Sequence, residues 1–136
     1  MPQQQICPCG SGQNFNLCCE PCLSGISPAR TAEALMRSRY TAYVTKDECY
    51  LLSSWHESTR PAVLGIEQDT VKWLGLKLVA TQAGREGDET GSVEFVARYK
   101  LNGKAHRLHE RSRFVKQQGC WFYVGAEKLP AASPPG

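Results

Sequence analysis

The sequence predicts an α+β fold in which a short cysteine-rich segment precedes helices and then a four-stranded antiparallel sheet. Three observations support this prediction. Four of the seven cysteines lie within residues 7–19. Apolar residues recur at helical spacing over residues 31–45, and from residue 74 onward they alternate with polar ones, as along strands. Helices followed by a run of consecutive strands are typical of α+β domains.

The cysteine-rich segment has the donor set of a tetrahedral metal site. Cys7 and Cys9 flank one proline, and the adjacent Cys18 and Cys19 follow after an eight-residue loop. Adjacent cysteines rarely form a disulfide with each other, because the geometry strains the peptide. We interpret these four thiolates as the ligands of one Zn²⁺. Four cysteines fill the tetrahedron, so the expected zinc is structural rather than catalytic.

The remaining cysteines are not expected to bind metal. Cys22 is a spare thiol near the site, where four better-spaced donors already exist. Cys49 and Cys120 are predicted to be small buried residues with free thiols, as a reducing compartment allows.

The helical pattern begins after Thr31. Apolar residues recur at steps of three and four from Ala32 to Val44, which predicts a helix over residues 31–45 with Thr31 as its N-cap. The other segments before the sheet are predicted to be two short helices, at 48–53 and 67–72, and two loops, at 21–29 and 54–61.

The alternating runs predict four consecutive strands, over residues 74–80, 92–101, 104–116 and 120–125. Asn102-Gly103 between two such runs is a strong hairpin signal. A two-residue loop fixes the register of the hairpin, so that Leu101 pairs with Lys104 and Phe95 with Glu110. Glu110 is therefore predicted to lie on the apolar face of the sheet.

Several segments resemble known families. CPCGSGQNFNLCC at residues 7–19 resembles the SEC-C motif, a zinc-binding module found at the C-terminus of the SecA translocation ATPase and on many other bacterial proteins. Three segments resemble the YchJ family of uncharacterised bacterial proteins, namely TAEALMRSRYTAYV at 31–44, SWHESTRP at 54–61 and HERSRF at 109–114. The resemblance implies a nuclear transport factor 2-like (NTF2-like) domain, a curved sheet wrapped around helices as a cone. It implies no settled biochemical function.

Pattern and resemblance together divide the chain into three parts. These are a zinc knuckle with its connector at 1–26, a cone-shaped NTF2-like domain at 27–129, and a flexible tail at 130–136. No apolar run approaches the roughly 20 residues of a membrane helix, and no basic-then-apolar leader opens the sequence. We therefore expect a protein of the bacterial cytoplasm with no membrane association.

Glu110 has two interpretations, since a carboxyl on an apolar face must be either paired or neutral. In the first, which we favour, it forms a buried ion pair with Arg37 or Arg39 and pins the long helix to the sheet. In the second, it is a pocket acid with a raised pKa that works in the cone cavity with Arg98 or His56.

Nucleic-acid binding is disfavoured. Five basic residues could form a positive strip along neighbouring strands: Arg98, Arg107, Arg111, Arg113 and Lys116. Trp121 or Tyr123 could stack on bases beside it. However, Glu94 lies among them, and zinc with four thiolates lowers the formal net charge of +3 by two units.

We expect an interaction protein rather than an enzyme, because the sequence contains no evident set of nucleophile, base and orienting group. In this hypothesis the knuckle docks a protein partner and the cone binds a peptide or small ligand. The alternative is a small-molecule-binding protein or enzyme that uses the cone cavity around Glu110. A pocket that contains Glu110 without an arginine partner favours the alternative, whereas a filled cavity favours the first hypothesis.

Overall fold

The computed structural model describes residues 5–129. The helices are α1 (Glu20–Ser24), α2 (Ala32–Thr45) and α3 (Glu48–Ser53), and the strands are β1 (Lys72–Ala83), β2 (Thr90–Leu101), β3 (Lys104–Gln117) and β4 (Cys120–Lys128). The predicted α+β class, with helices before a four-stranded antiparallel sheet, is confirmed. The predicted tail at 130–136 lies outside the described residues. None of the helices between residues 5 and 129 has the length and apolar composition of a membrane span.

The sheet is a meander in the order β1-β2-β3-β4. The predicted hairpin register is confirmed, since Leu101 pairs with Lys104 and Phe95 with Glu110. Asn102 and Gly103 adopt φ of 52° and 78°, which is the left-handed conformation that a two-residue turn of this type needs at both positions.

Helix α2 begins where the sequence predicts. Thr31 is extended, and its side-chain oxygen accepts a hydrogen bond from Ala34 N at 3.0 Å, which satisfies one of the backbone donors left open at a helix start. The helix ends at Thr45, and the C-cap residue Lys46 adopts the left-handed conformation. The predicted short helix at 48–53 is also present as α3.

Two local predictions are wrong. The predicted helix at 67–72 is a single 3₁₀ turn at Ile66–Gln68, and Lys72 already begins β1. The residues Val71 and Trp73 favour an extended backbone, and pairing with β2 extends the strand to this point. The predicted turn-rich connector at 21–29 is helical over its first four residues, because α1 begins at Glu20, accommodates Pro21 in its first turn and ends before a left-handed Gly25.

Helix α2 packs against all four strands. Its first turn lies against Gly84 and Gly91, whose backbones are in close contact with each other. Ala32 N donates to Gly84 O at 2.9 Å. A Cβ atom added to Gly91 would lie 2.4 Å from Gly84 Cα and 3.3 Å from Ala32 Cβ. Glycine is therefore required where the β1–β2 connection meets the start of α2.

Candidate metal centre and cone pocket

The four predicted ligands meet in one cluster. The sulfur atoms of Cys7, Cys9, Cys18 and Cys19 all lie within 4.8 Å of one another. Cys18 Sγ is 3.5 Å from Cys9 Sγ and 3.9 Å from Cys19 Sγ. A tetrahedron with Zn–S bonds of about 2.3 Å has edges of about 3.8 Å, so the cluster has the size of a four-thiolate metal site.

The local backbone brings the two cysteine pairs together. Cys7 N donates to Gln13 O at 2.8 Å, which closes the loop after the first pair. Gly10 and Gly12 have φ of 83° and 85° in this loop, a region that glycine enters without steric cost. The second pair follows the 3₁₀ turn at Phe15–Leu17 and directly precedes α1.

Polar side chains outside the ligand set contact the sulfurs. Thr41 of α2 donates to Cys19 Sγ at 3.3 Å and lies 3.7 Å from Cys7 Sγ. Arg37, also on α2, donates to Cys9 O at 2.9 Å and is 3.8 Å from Cys9 Sγ. Such contacts orient ligands and offset thiolate charge. The sequence analysis did not predict these contacts of Thr41 and Arg37 with the cysteines, because the partners lie far apart in the chain.

The thiols of Cys9, Cys18 and Cys19 have shifted pKa values. The hydrogen bond from Cys19 lowers the pKa of Cys9 to about 4, against the opposing effect of burial. Burial raises the pKa of Cys18 to about 11, and the pKa of Cys19 is raised chiefly by its hydrogen bond to Cys9. The Cys9 thiolate thus lies beside the protonated thiols of Cys18 and Cys19, and a bound cation would replace their protons.

The cysteine cluster shares its core with the sheet and α2. Cys7, Cys9 and Cys19 are buried in one cluster with residues such as Leu35 and Phe114. Their packing ties the metal site to the stability of the whole domain, and loss of metal is expected to affect more than the first 20 residues.

The other cysteines lie in different environments. Cys22 is partly buried and lines a surface hollow with Cys18 and Cys19, but it is not part of the four-sulfur cluster. The prediction that Cys49 and Cys120 are buried is wrong, because both are exposed. Cys49 lies on the outer side of the short helix α3, and Cys120 opens β4 after a tight turn.

A second feature is a pocket of about 200 Å³ between α2 and the face of the sheet that packs against it. We call it the cone pocket. Its walls are largely apolar or aromatic, from Met36, Tyr40, Tyr43, Trp73, Phe95 and Leu108. Its polar lining includes Arg39, Glu110, Ser112 and Tyr123. Burial raises the pKa of Tyr40 to about 12, so its hydroxyl is protonated at neutral pH.

Glu110 lies in the cone pocket opposite Phe95, as the register predicts. Burial raises the pKa of its carboxyl, and the positive charge of Lys128 on β4 partly opposes that rise. Within residues 5–129, no basic side chain forms an ion pair with it.

The favoured ion pair between Glu110 and a helix arginine is therefore wrong. Arg37 instead pairs with Glu33 one turn away at 3.1 Å. Arg39 is 4% exposed and donates to Leu51 O and to Ser54 Oγ, both at 2.7 Å. Its guanidinium also stacks 4.3 Å from the ring of Tyr123. Both arginines are held by partners that lie nearer than Glu110.

Arg98 and His56 lie outside the cone pocket. Strand alternation places Arg98 on the outer face of the sheet, where it lines a different hollow. His56 is partly exposed near the end of β3, where its ring nitrogens bond Ser58 Oγ at 2.7 Å and Gln117 Oε1 at 2.8 Å. Of the predicted pocket residues, the structure brings together Glu110 and Arg39.

The predicted basic strip is interrupted. Arg111 forms an ion pair with Glu127 at 2.7 Å, and Lys116 donates to the Glu86 carbonyl and lies over the Trp121 ring. Tyr123 is packed against Arg39 inside the domain, so it does not offer a free ring for a base.

Comparison with known proteins agrees with this architecture. The family profile for the YchJ middle, NTF2-like domain matches residues 31–126, and the SEC-C motif matches residues 5–21. The chain belongs to the YchJ family. Relatives named UPF0225 protein occur in Chromobacterium violaceum, 53% identical over 87% of this chain and 89% of its own length, and in Methylibium petroleiphilum, 49% identical over 91% and 89%.

Solved structures of similar proteins share the YchJ fold seen here. The solution structure of a SEC-C motif protein from Rhodopseudomonas palustris has a TM-score of 0.81 and 32% identity, covering 92% of this chain and 99% of the other. The crystal structure of a SEC-C motif protein from Psychrobacter arcticus has a TM-score of 0.74 and 25% identity, covering 95% and 85%. The cysteine cluster and the family motif together indicate metal binding.

The metal assignment predicts about one zinc ion per chain, because four thiolates complete a tetrahedral site. Elemental analysis should give this value for the wild type. Cys9→Ser and Cys18→Ser should fall well below it. Cys22→Ser is the matched control, since Cys22 lies beside the cluster but outside it, and should keep its zinc. Full metal content in both ligand variants would exclude this site.

Replacing Glu110 with Gln is expected to leave the free energy of unfolding unchanged near pH 4 and to raise it near pH 7. Burial raises the folded-state pKa above the reference value of 4.5. The wild type is therefore most stable below that value and loses stability as pH rises through the folded-state pKa. Gln has no proton to lose. Urea unfolding at the two pH values measures the difference. A loss of roughly 3–5 kcal/mol near pH 7 would instead indicate a buried ion pair.

Proposed function

We propose that this protein binds a small molecule in the cone pocket and that its metal centre, with zinc as the metal, is structural. The observation that carries the proposal is Glu110, a carboxyl in a largely apolar pocket with no ion-pair partner among residues 5–129. A carboxyl in such surroundings costs stability. Pockets with apolar walls and a few convergent polar groups are typical ligand sites.

The size and lining of the pocket restrict the ligand. A volume of about 200 Å³ is below the roughly 300–1,000 Å³ of drug-sized sites, so the ligand is small. The rings of Tyr40, Tyr43 and Trp73 would contact an apolar or aromatic body, and Glu110 would bind its polar group. As a carboxylate it accepts a hydrogen bond, and as an acid it donates one.

A structural role for the metal follows from its donor set and its position. Four cysteine ligands leave no coordination position for water or substrate. Thr41 and Arg37 contact the cysteines from one side of α2, while Arg39 and Tyr43 of the same helix line the cone pocket. The metal would thus hold the helix that forms one wall of the ligand site. Cysteine ligands and exposed thiols also suit a cytoplasmic location.

Fragment screening by NMR tests the pocket. Small apolar compounds with one amine, amide or acid group are expected to shift the indole N–H signal of Trp73, which lines the pocket. The indole of Trp121, bonded to Arg30 O at 3.0 Å, should not move. Glu110→Gln should weaken binding about tenfold, as loss of a charged hydrogen bond does. Glu127→Gln, on the outer ion pair with Arg111, is the control.

The pocket proposal fails if fragments bind wild type and Glu110→Gln equally, or if their signals map elsewhere on the domain. Binding that depends on Glu110 but shows no turnover of any fragment keeps the assignment as a binding protein. Turnover that is lost in Glu110→Gln would extend it to an enzyme.

Protein docking through the metal-binding loop, residues 7–19, is a second candidate function. Ile6, Leu17 and Ile26, in or close to this loop, are 62%, 72% and 84% exposed. Large apolar side chains at this exposure are common at protein interfaces when they cluster. In this hypothesis the three side chains form one contact surface for a protein partner.

A double variant tests the docking surface. Leu17→Ser with Ile26→Ser should retain zinc but lose a partner that quantitative crosslinking recovers with the wild type. Val63→Ser is the control, because Val63 is 68% exposed at a different position. Equal recovery with the double variant, or equal loss with Val63→Ser, would rule out this surface.

A further inference from the structure

The outer face of the sheet carries an uncompensated positive patch near the β2–β3 turn. Lys77, Arg98 and Arg107 line one hollow there, together with Gly75, Leu76 and Val96. We call these three basic residues the cationic patch. Lys72 on β1 and Lys100 on β2 are paired directly with each other beside this patch. All five basic side chains project from the face opposite the cone pocket, because strand residues alternate between faces.

The register places like charges directly opposite each other. Arg98 pairs with Arg107 across β2 and β3, and Lys72 pairs with Lys100 across β1 and β2. Like charges in this position destabilise a sheet. A folded chain that retains two such pairs on one small area bears a cost that a bound anion would remove.

No carboxylate of the described residues neutralises the patch. Neither Lys77, Arg98 nor Arg107 forms an ion pair within residues 5–129. The acid nearest along the same face of β2, Glu94, is engaged by His109 at 2.7 Å and by Arg111 at 3.9 Å. The patch therefore retains its positive field, which attracts anions from solution.

Gly75 gives an anion room to approach. It lies opposite Arg98 in the sheet, next to a β-bulge. Its φ is not left-handed, and an added Cβ atom would meet nothing within 4 Å, so neither conformation nor packing requires glycine here. Glycine inside a strand weakens it, and one reason to find it there is close approach of a ligand.

From these observations we infer that the cationic patch binds an oxyanion of the phosphate class. Guanidinium groups match phosphate oxygens with two parallel hydrogen bonds, and the patch offers two of them beside an ammonium group. None of the six residues that line the hollow is aromatic, so it has no platform for stacking bases. A phosphate group on a small molecule, or free phosphate, fits this chemistry better than a nucleic acid strand.

The test is a titration of the intact protein with inorganic phosphate and with pyrophosphate at constant ionic strength, followed by ¹H–¹⁵N NMR. Shifts are expected at residues 75–77, 96–98 and 106–108. Arg98→Gln and Arg107→Gln should each weaken binding about tenfold. Arg113→Gln is the matched control, since Arg113 is an exposed arginine on the same face of β3, and should bind as the wild type does.

A melting experiment gives an independent readout. Without anion, Arg98→Gln should raise Tm by about 2 °C because it removes the repulsion with Arg107. Pyrophosphate at low millimolar concentration should then raise the Tm of the wild type but not that of the double variant with Arg107→Gln.

Three results would overturn the inference. The first is a set of shifts that sodium chloride reproduces at the same ionic strength. The second is equal weakening by Arg113→Gln. The third is binding to an RNA duplex that is far tighter than to pyrophosphate and grows with duplex length, which would identify the whole face as a nucleic-acid surface.

Discussion

The contact between α2 and the cysteine cluster constrains the rest of the structure. Thr41, in the middle of the helix, donates a buried hydrogen bond to Cys19 Sγ at 3.3 Å, and Arg37, one turn earlier, bonds the backbone of Cys9. Since α2 also packs against all four strands, the position of the helix over the sheet depends on the cysteine loop. The cysteine loop, α2 and the sheet therefore depend on one another for their positions.

The loop is held against the sheet as well as against the helix. A Cβ atom on Gly10 would lie 2.8 Å from the carbonyl oxygen of Leu76 on β1, so the loop backbone touches the strand. Gly12 has the same left-handed φ but faces open space. Gly12 is thus needed for its backbone conformation alone, whereas Gly10 is needed both for its conformation and for the close contact with Leu76. The same contact brings the loop close to Leu76, which lines the hollow of the cationic patch.

Local sequence signals predicted the order of the strands and the hairpin register. The errors come from contacts between residues that lie far apart in the chain. The Asn102-Gly103 turn and period-two alternation fixed the register, because both act between neighbouring residues. The cysteine spacing likewise predicted which four sulfurs lie together, because each cysteine pair is local in the chain. The partner of Arg39 could not be read from the sequence. It depends on how α3 folds back to present Leu51 O and Ser54 Oγ, and no pattern along α2 encodes that placement.

The separation of Arg39 from Glu110 explains why a pocket exists. A direct ion pair would draw helix and sheet together across the space that both residues line. Instead, the guanidinium of Arg39 donates to two neutral oxygens, Leu51 O and Ser54 Oγ, and lies over the ring of Tyr123. The cation is thus buried without a carboxylate partner, which is unfavourable. Burial favours the neutral form of Glu110 on the other side. Sequences depart from local stability rules mainly where function requires it, and here two such departures line the same small cavity.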